Sequence, residues 1–360
     1  MKRISFILFS VVFLNSLVIF SQDQSAQELI REGVEMHDEG EFEEAIDRYN
    51  EALEIDSTLV EAIYELSLSY LALKDYENAE LYSTQIINSD DPKLSIGAYA
   101  VKSEALAEQN KVDNAIELLN QGLNKYGDDY QLHFNLALNH YKKADIDKTL
   151  FHVKRAIDLD KTHSGAFLLN SYALNDNGLW IQSVLSLQMF LLLEPDSKRS
   201  KNAFEEMLQT MQIKKTDKPV ERSFIQQQMM RNRPDTASIS EDTPPLSVEE
   251  GLNRERVYQT ITTTLNSLSE NSENIDEFTI FKTVNSEVMK ILKSESIGIK
   301  EGIIWTFYIP FFSRISNSDY YDTFCRYISV SYFPESLEWW KENPSEAIDF
   351  VTWFEKGDSM

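Results

Sequence analysis

The residues of this chain able to do chemistry are few and poorly assembled. His133 and His140 stand seven apart in a helical stretch and so share a face, which is the spacing of a metal-binding pair. No carboxylate nearby is spaced to complete a site, so packing is the favoured reading. His37, His152 and His163 are isolated. Cys325, the only cysteine, sits in YYDTFCRYIS with no histidine in its part of the chain. It therefore lacks a base for thiolate chemistry and reads as a small buried apolar residue. No phosphate-cradling glycine loop, G-x-S-x-G or H-E-x-x-H occurs, and eleven glycines leave few places for backbone to approach a ligand. Asp145, Asp147 and the Asp90-Asp91 pair read as turn and cap residues. The expectation is no catalytic residue, no cofactor and no metal.

Charge excludes another class of function. The formal net charge is -25 over 360 residues, a surface that repels phosphate backbones, so nucleic acid is not expected as a partner. The opening MKRISFILFSVVFLNSLVIFSQDQ has two cations, an apolar stretch and then Ser21 before polar sequence. This is the layout of a secretory signal peptide over 1–21, an uncleaved anchor being the alternative. One cysteine rules out a disulfide framework within the chain. An exported protein of this kind is expected in the periplasm or exterior of a Gram-negative bacterium.

The elements that would position a site are repeats. Small residues recur at Ala45, Ala79, Ala115, Thr149 and Ser183, at spacings of 34, 36, 34 and 34, and twelve before each lies another: Gly33, Ser67, Ser103, Ala137 and Ser171. Two small positions at fixed separation let the two helices of a hairpin approach closely. Three residues before each first anchor stands a bulky residue, Phe42, Tyr76, Val112, Ile146 or Trp180, opening the second helix. Gly40, Asn110 and Gly178 fill the turn in three units and tolerate positive φ, whereas Lys74 and Ala144 occupy it in the other two.

This pattern resembles the tetratricopeptide repeat (TPR), most visibly in GEFEEAIDRYNEALEIDS (40–57) and GLWIQSVLSLQMFLLLEPDS (178–197), and it covers residues 26–197 as five units. The resemblance implies an all-α, right-handed solenoid of five helix-turn-helix repeats. It also assigns the apolar run from Trp180 to Glu194, ambiguous by itself, to the second helix of the fifth unit. Residues 198–215 follow as a capping helix, with Phe204, Leu208 and Met211 covering that run and a polar outer face expected. The family's inner helices line a concave groove, and its positions transfer to Val34, Tyr64, Leu68, Glu104, Phe134, Leu138, Tyr141 and Tyr172. Members that clamp a peptide carboxylate place Lys and Asn there. Ile30 and Val34 stand in the first unit instead, so the expected partner is an apolar or basic protein segment.

Beyond the solenoid, 216–246 reads as a linker and 247–360 as a small all-helical C-terminal domain. Residues 198–233 form a locally basic strip, read as a solvated face and tether, with weak contact to an anionic membrane surface or to the protein's own acidic groove as the functional alternative. Ser247-Val248-Glu249-Glu250 is a capping box predicting a helix through about Leu268, and a second helix is predicted over 276–293. The segment EGIIWTFYIPFFSRI predicts a helix bent near Pro310. Asn343-Pro344 predicts another helix whose apolar face is Ala347, Ile348, Val351 and Phe354. This region is only loosely similar to C-terminal parts of exported bacterial TPR proteins. The leading functional reading is a non-enzymatic scaffold. The alternative makes the C-terminal domain a glycan-binding or enzymatic module, with Tyr320, Tyr321, Trp339, Trp340 and Trp353 stacking on sugar rings.

Overall fold

A computed structural model of the protein describes residues 25–89, 91–214, 252–271, 275–298 and 303–357. The expected signal peptide, the linker, the Ser247–Glu250 capping box and Asp90 lie outside those residues. All regular structure among the described residues is helical. Backbone contacts divide the chain into two compact units, Met1–His140 and Tyr141–Met360.

In the first unit, α1 (25–39), α2 (Phe42–Ile55), α3 (Val60–Ala72), α4 (Tyr76–Ser89), α5 (Pro92–Glu108), α6 (Val112–Tyr126) and most of α7 (Tyr130–Lys142) follow one another as hairpins. The small residues sit where the hairpins need them. Gly33, Ala45, Ser67, Ala79, Ser103, Ala115 and Ala137 are all buried. A Cβ on Gly33 would come within 2.4 Å of the Tyr49 ring, so only glycine admits that ring between α1 and α2. The hydroxyls at these crossings cost little, because Ser67 and Ser103 donate to Tyr64 O and Ala100 O of their own helices, at 2.6 and 2.8 Å.

The second unit continues with α8 (Ile146–Leu159), α9 (Ser164–Asp176), α10 (Trp180–Leu193) and α11 (Lys198–Thr210). Its anchors Thr149, Ser171 and Ser183 are buried in turn. The C-terminal helices are α12 (Arg254–Asn271), α13 (Glu277–Glu295), α14 (Ile309–Ser316), α15 (Tyr321–Ile328), α16 (Pro334–Glu342) and α17 (Pro344–Gly357). Side chains set several starts. Asp145, Ser197 and Asp276 accept the N–H groups of Lys148, Ser200 and Thr279, satisfying amides that a helix leaves open at its first turn.

All five repeat turns are left-handed, whatever residue fills them. Gly40, Lys74, Asn110, Ala144 and Gly178 have φ of 85°, 63°, 62°, 58° and 74°. In four of them the next residue's N–H reaches back into the preceding helix, as from Asp75 to Tyr70 O at 2.9 Å. That is the Schellman closure, which needs positive φ at its centre.

Several expectations change at the C-terminal helices. The described start of α12 is Arg254, after non-helical Leu252 and Asn253, with the Asn253 side chain accepting Arg256 N–H at 3.0 Å. The bend near Pro310 is a π-helical turn, Ile304–Tyr308, running straight into α14. Ile309 N–H bonds Ile304 O five residues back, and the wider turn accommodates a proline ring that offers no donor. On α17 the buried face is Ala347 and Phe350, while Ile348 is 65% exposed and Val351 37%. The Phe350 ring lies 5.7 Å from Tyr327 and 6.5 Å from Phe324, so aromatic packing turns the helix away from its aliphatic pair.

The largest correction concerns α10 and α11. The sequence reading gave α10 a single cover and α11 a polar outer face. Instead Phe204 of α11 is fully buried, with its ring 4.9 Å from Phe281, 5.2 Å from Tyr332 and 5.4 Å from Phe333. The C-terminal helices therefore pack on the fifth repeat, and α11 lies inside that packing. Every residue of α10 from Ile181 to Leu192 is buried, Gln182, Ser186 and Gln188 included.

Candidate interaction surfaces

In the first unit the inner helices α3, α5 and α7 carry the predicted groove residues. Tyr64, Leu68, Phe134 and Leu138 are half-buried, and Glu104 is exposed. Large apolar side chains that stay partly open on one helix of each hairpin are what a docking surface requires. Gly97 of α5 shapes the floor, since a Cβ there would come within 2.5 Å of the Tyr64 hydroxyl. Tyr64 and Leu68 also pack against Ala79, Val101 and Ala105, which fixes them as the walls of this face.

Acidic groups stand beside these rings. Burial pushes the Glu65 carboxyl above the usual carboxylate range, and the charges of Glu61 and Asp38 push it the same way. Burial, then Glu65, likewise raise the Tyr64 hydroxyl. An anionic group held under strain of this kind gains from a cation brought by a partner.

Two predicted groove positions are corrected. Tyr141 is fully buried, its hydroxyl donating to Asp176 Oδ2 at 2.8 Å, and Tyr172 is buried as well. The ring surface each would offer a partner is covered, because both lie in the second unit's packed interior. Val34 packs half-buried against the core of the first hairpins.

The sequence model of the TPR repeat matches residues 33–74, and a second, described as the tetratricopeptide repeat, matches 60–91. These are the stretches that supply α3 and its groove residues. Residues 33–91 therefore carry tetratricopeptide repeats. No curated protein matches it. Among solved structures it is similar to a thermophilic TPR protein of Thermus thermophilus, at 18% identity and TM-score 0.46 over 52% of this chain and 100% of that one. It is similar also to PilF of Pseudomonas aeruginosa, at 14% identity and TM-score 0.45 over 59% and 90% of the two chains. A third is YrrB, described as a TPR protein with an unusual peptide-binding site, at 17% identity and TM-score 0.35 over 50% and 92%. The repeats support a protein-interaction scaffold.

The remaining chemistry of the chain is mostly committed to packing. His133 and His140 are buried, His133 Nε2 lying 3.3 Å from Asp128 Oδ1. Among the described residues no His, Cys, Asp and Glu cluster is placed to hold a metal ion. His37 Nδ1 lies 2.8 Å from Ser69 Oγ, a pairing the sequence reading missed because 32 residues separate them. Ser69 is fully buried, so no substrate reaches its hydroxyl. Cys325 is fully buried as expected, and burial pushes its thiol up to about 12, far from the reactive thiolate.

The aromatic block of the C-terminal helices is internally paired. Tyr320, Tyr321, Trp339, Trp340 and Trp353 are all half-buried. Tyr320 lies 5.1 Å from Trp353, Tyr327 5.2 Å from Trp340, and Trp339 lies edge-on to Trp340 at 5.6 Å. Arg314 and Arg326 cover Trp353 and Trp339, and the Tyr321 hydroxyl donates to Lys282 O at 2.9 Å. Where these helices meet α11, an open cleft of about 490 Å³ is lined by Lys201, Glu205, Lys214, Glu277, Tyr332 and Glu335. Lys214 bridges it, donating to Tyr332 Oη at 2.6 Å and Glu205 Oε1 at 3.0 Å. Of the basic strip, Arg199 is likewise paired, with Glu194. Nothing in the sequence between 198 and 335 signalled that cleft.

Proposed function

We propose that this chain is an exported, non-enzymatic TPR scaffold that captures an apolar or basic protein segment along the inner helices of its first four repeats. One observation carries the reading: Tyr64, Leu68, Phe134 and Leu138 keep open surface on the inner helices, while the small residues at every hairpin crossing are sealed. Affinity would come from those rings and aliphatic groups, and selectivity from Glu65, Glu61 and Glu104. The fifth repeat plays a different part, since its outer helix, α10, is covered by the C-terminal helices. The N-terminal layout supports export to the periplasm or exterior of a Gram-negative bacterium, with residues 216–246 as the tether between repeats and C-terminal domain.

Site-specific photo-crosslinking tests this. A crosslinking residue placed at Leu68 is expected to give a discrete adduct in the native envelope, weakened by salt, while one at exposed Leu81 on α4 gives none. Equal labelling at both positions, or none at Leu68, overturns the groove. Sequencing the N-terminus of the protein from its native cells tests export separately, a start just after Ser21 being expected.

A further inference from the structure

We propose that His163 is a proton-sensitive cap: uptake of one proton by its ring removes the side-chain acceptor from the first turn of α9, sets a positive charge there, and loosens the repeat on which the C-terminal helices are docked. Histidine is an unusual residue to begin a helix, and here it does so with its ring. Nδ1 accepts the Ala166 N–H at 3.1 Å, which fixes the ring proton on Nε2. An imidazolium has two donors and no acceptor, so protonation takes from that amide one of its two acceptors, the other being His163 O at 3.1 Å, and sets a positive charge against the positive end of the helix.

The surroundings hold the ring to the neutral form. From the turn before α9 come Asp160 and Lys161, from the end of α10 comes Glu194, and from α11 comes Arg199. Burial lowers the affinity of His163 for a proton, Asp160 partly opposes this, and Arg199 reinforces it. The same junction ties three helices together. Ser164 and Ser197 donate to Glu194 at 2.8 and 2.7 Å, and Arg199 Nε donates to it at 2.9 Å. Burial alone would raise Glu194, but these hydrogen bonds outweigh it and hold the carboxyl down at about 2. Glu194 therefore stays charged through the range in which histidine titrates, and His163 is the group that switches. The α9 it caps is bonded to α10 through Asn170 and Ser186, at 3.0 Å, and α10 carries the docked helices.

The sign follows from linkage. A base whose folded-state affinity for protons is lowered leaves stability intact above its unfolded pKa of about 6.5, and that stability drains away as pH falls toward the folded value. The test uses the whole chain, unmodified and as His163→Asn, an N-cap residue that accepts the same bond without titrating. Between pH 7.5 and 5 the folding equilibrium constant of the unmodified protein should fall further than that of the variant, by at most about tenfold per pH unit for one proton. The ring should titrate below about 6.5 by NMR, and at pH 5 the amides of 164–170 should exchange faster than in the variant. Parallel loss in both proteins, or a His163 ring titrating at or above the free value, overturns the proposal. If His163→Asn does not fold, the ring titration of the unmodified protein and the His163→Ser variant decide.

Discussion

Ala144 and Lys74 hold a backbone conformation that glycine holds without strain. Their φ values, 58° and 63°, fall in the left-handed region where a Cβ costs about 1–2 kcal/mol, and at Lys74 the Schellman bond from Asp75 N–H to Tyr70 O requires it. Glycine gives back part of that gain through its freer unfolded chain. Ala144→Gly should therefore stabilise the protein by about 0.5–1 kcal/mol, seen as a melting temperature higher by about 2 °C. Gly40→Ala, at φ 85°, should shift it the opposite way. Glu65 makes a second residue-level case. Its carboxyl is raised by burial, so the folded chain keeps a proton that the unfolded chain has lost, and stability declines as pH climbs from about 4.3 through the raised value. Glu65→Gln keeps the shape and removes the charge. It should be the more stable protein at pH 7, with the advantage gone near pH 4 in denaturant titrations, and it should bind a basic partner less well. Equal stability at both pH values would remove the strained carboxylate from the account.

At the scale of elements, the join between α10 and α13 is specified by one amide pair. Gln188 Nε2 donates to Asn285 Oδ1 at 3.0 Å and both side chains are fully buried. Either alone in an apolar setting leaves the other unsatisfied, at about 1–3 kcal/mol. Gln188→Leu and Asn285→Leu should each destabilise by that amount, while the double variant should recover most of the loss because no orphan amide remains. Strict additivity would mean the pair contributes no coupling. This pair also shows where sequence reading stops. The small anchors such as Ala45 and Ser171 were legible because a hairpin crossing imposes a local, periodic demand, and α13 was legible from the spacing of Phe278, Phe281, Val284 and Val288. A glutamine bonded to a residue far along the chain leaves no periodic trace, and neither does the seam that buries Phe204. On α17 the pattern misled, since Ile348 and Val351 suited an apolar face but Phe350 took it by aromatic packing. Likewise the repeat period was enough to place Tyr64 and Leu68 on the first helix of their hairpin, whereas the burial of Tyr141 goes with its long-range bond to Asp176.

At the scale of the whole molecule, the C-terminal helices are the closing layer of the last repeat. The Phe204, Phe281, Tyr332 and Phe333 rings meet at that seam, Arg254 Nη1 donates to Gly178 O at 3.2 Å, and Lys214 reaches Tyr332. Each buried ring of this size contributes about 2 kcal/mol before the cost of ordering the helices is counted. A chain ending at Lys214 would keep every repeat helix and α11, yet it would expose Phe204 and leave Gln188 without Asn285. Such a chain should melt roughly 5 °C or more below the full protein, bind a hydrophobic dye and self-associate with rising concentration, as an uncovered solenoid end does. Placing polar residues on the bared face, as in Phe204→Gln with Leu208→Lys in the truncated chain, should reduce dye binding and association without restoring the melting temperature, because solubility returns but the lost burial does not. A truncated chain that stays monomeric, binds no dye and melts with the full protein would show that the C-terminal helices are carried by the repeats and do not close them.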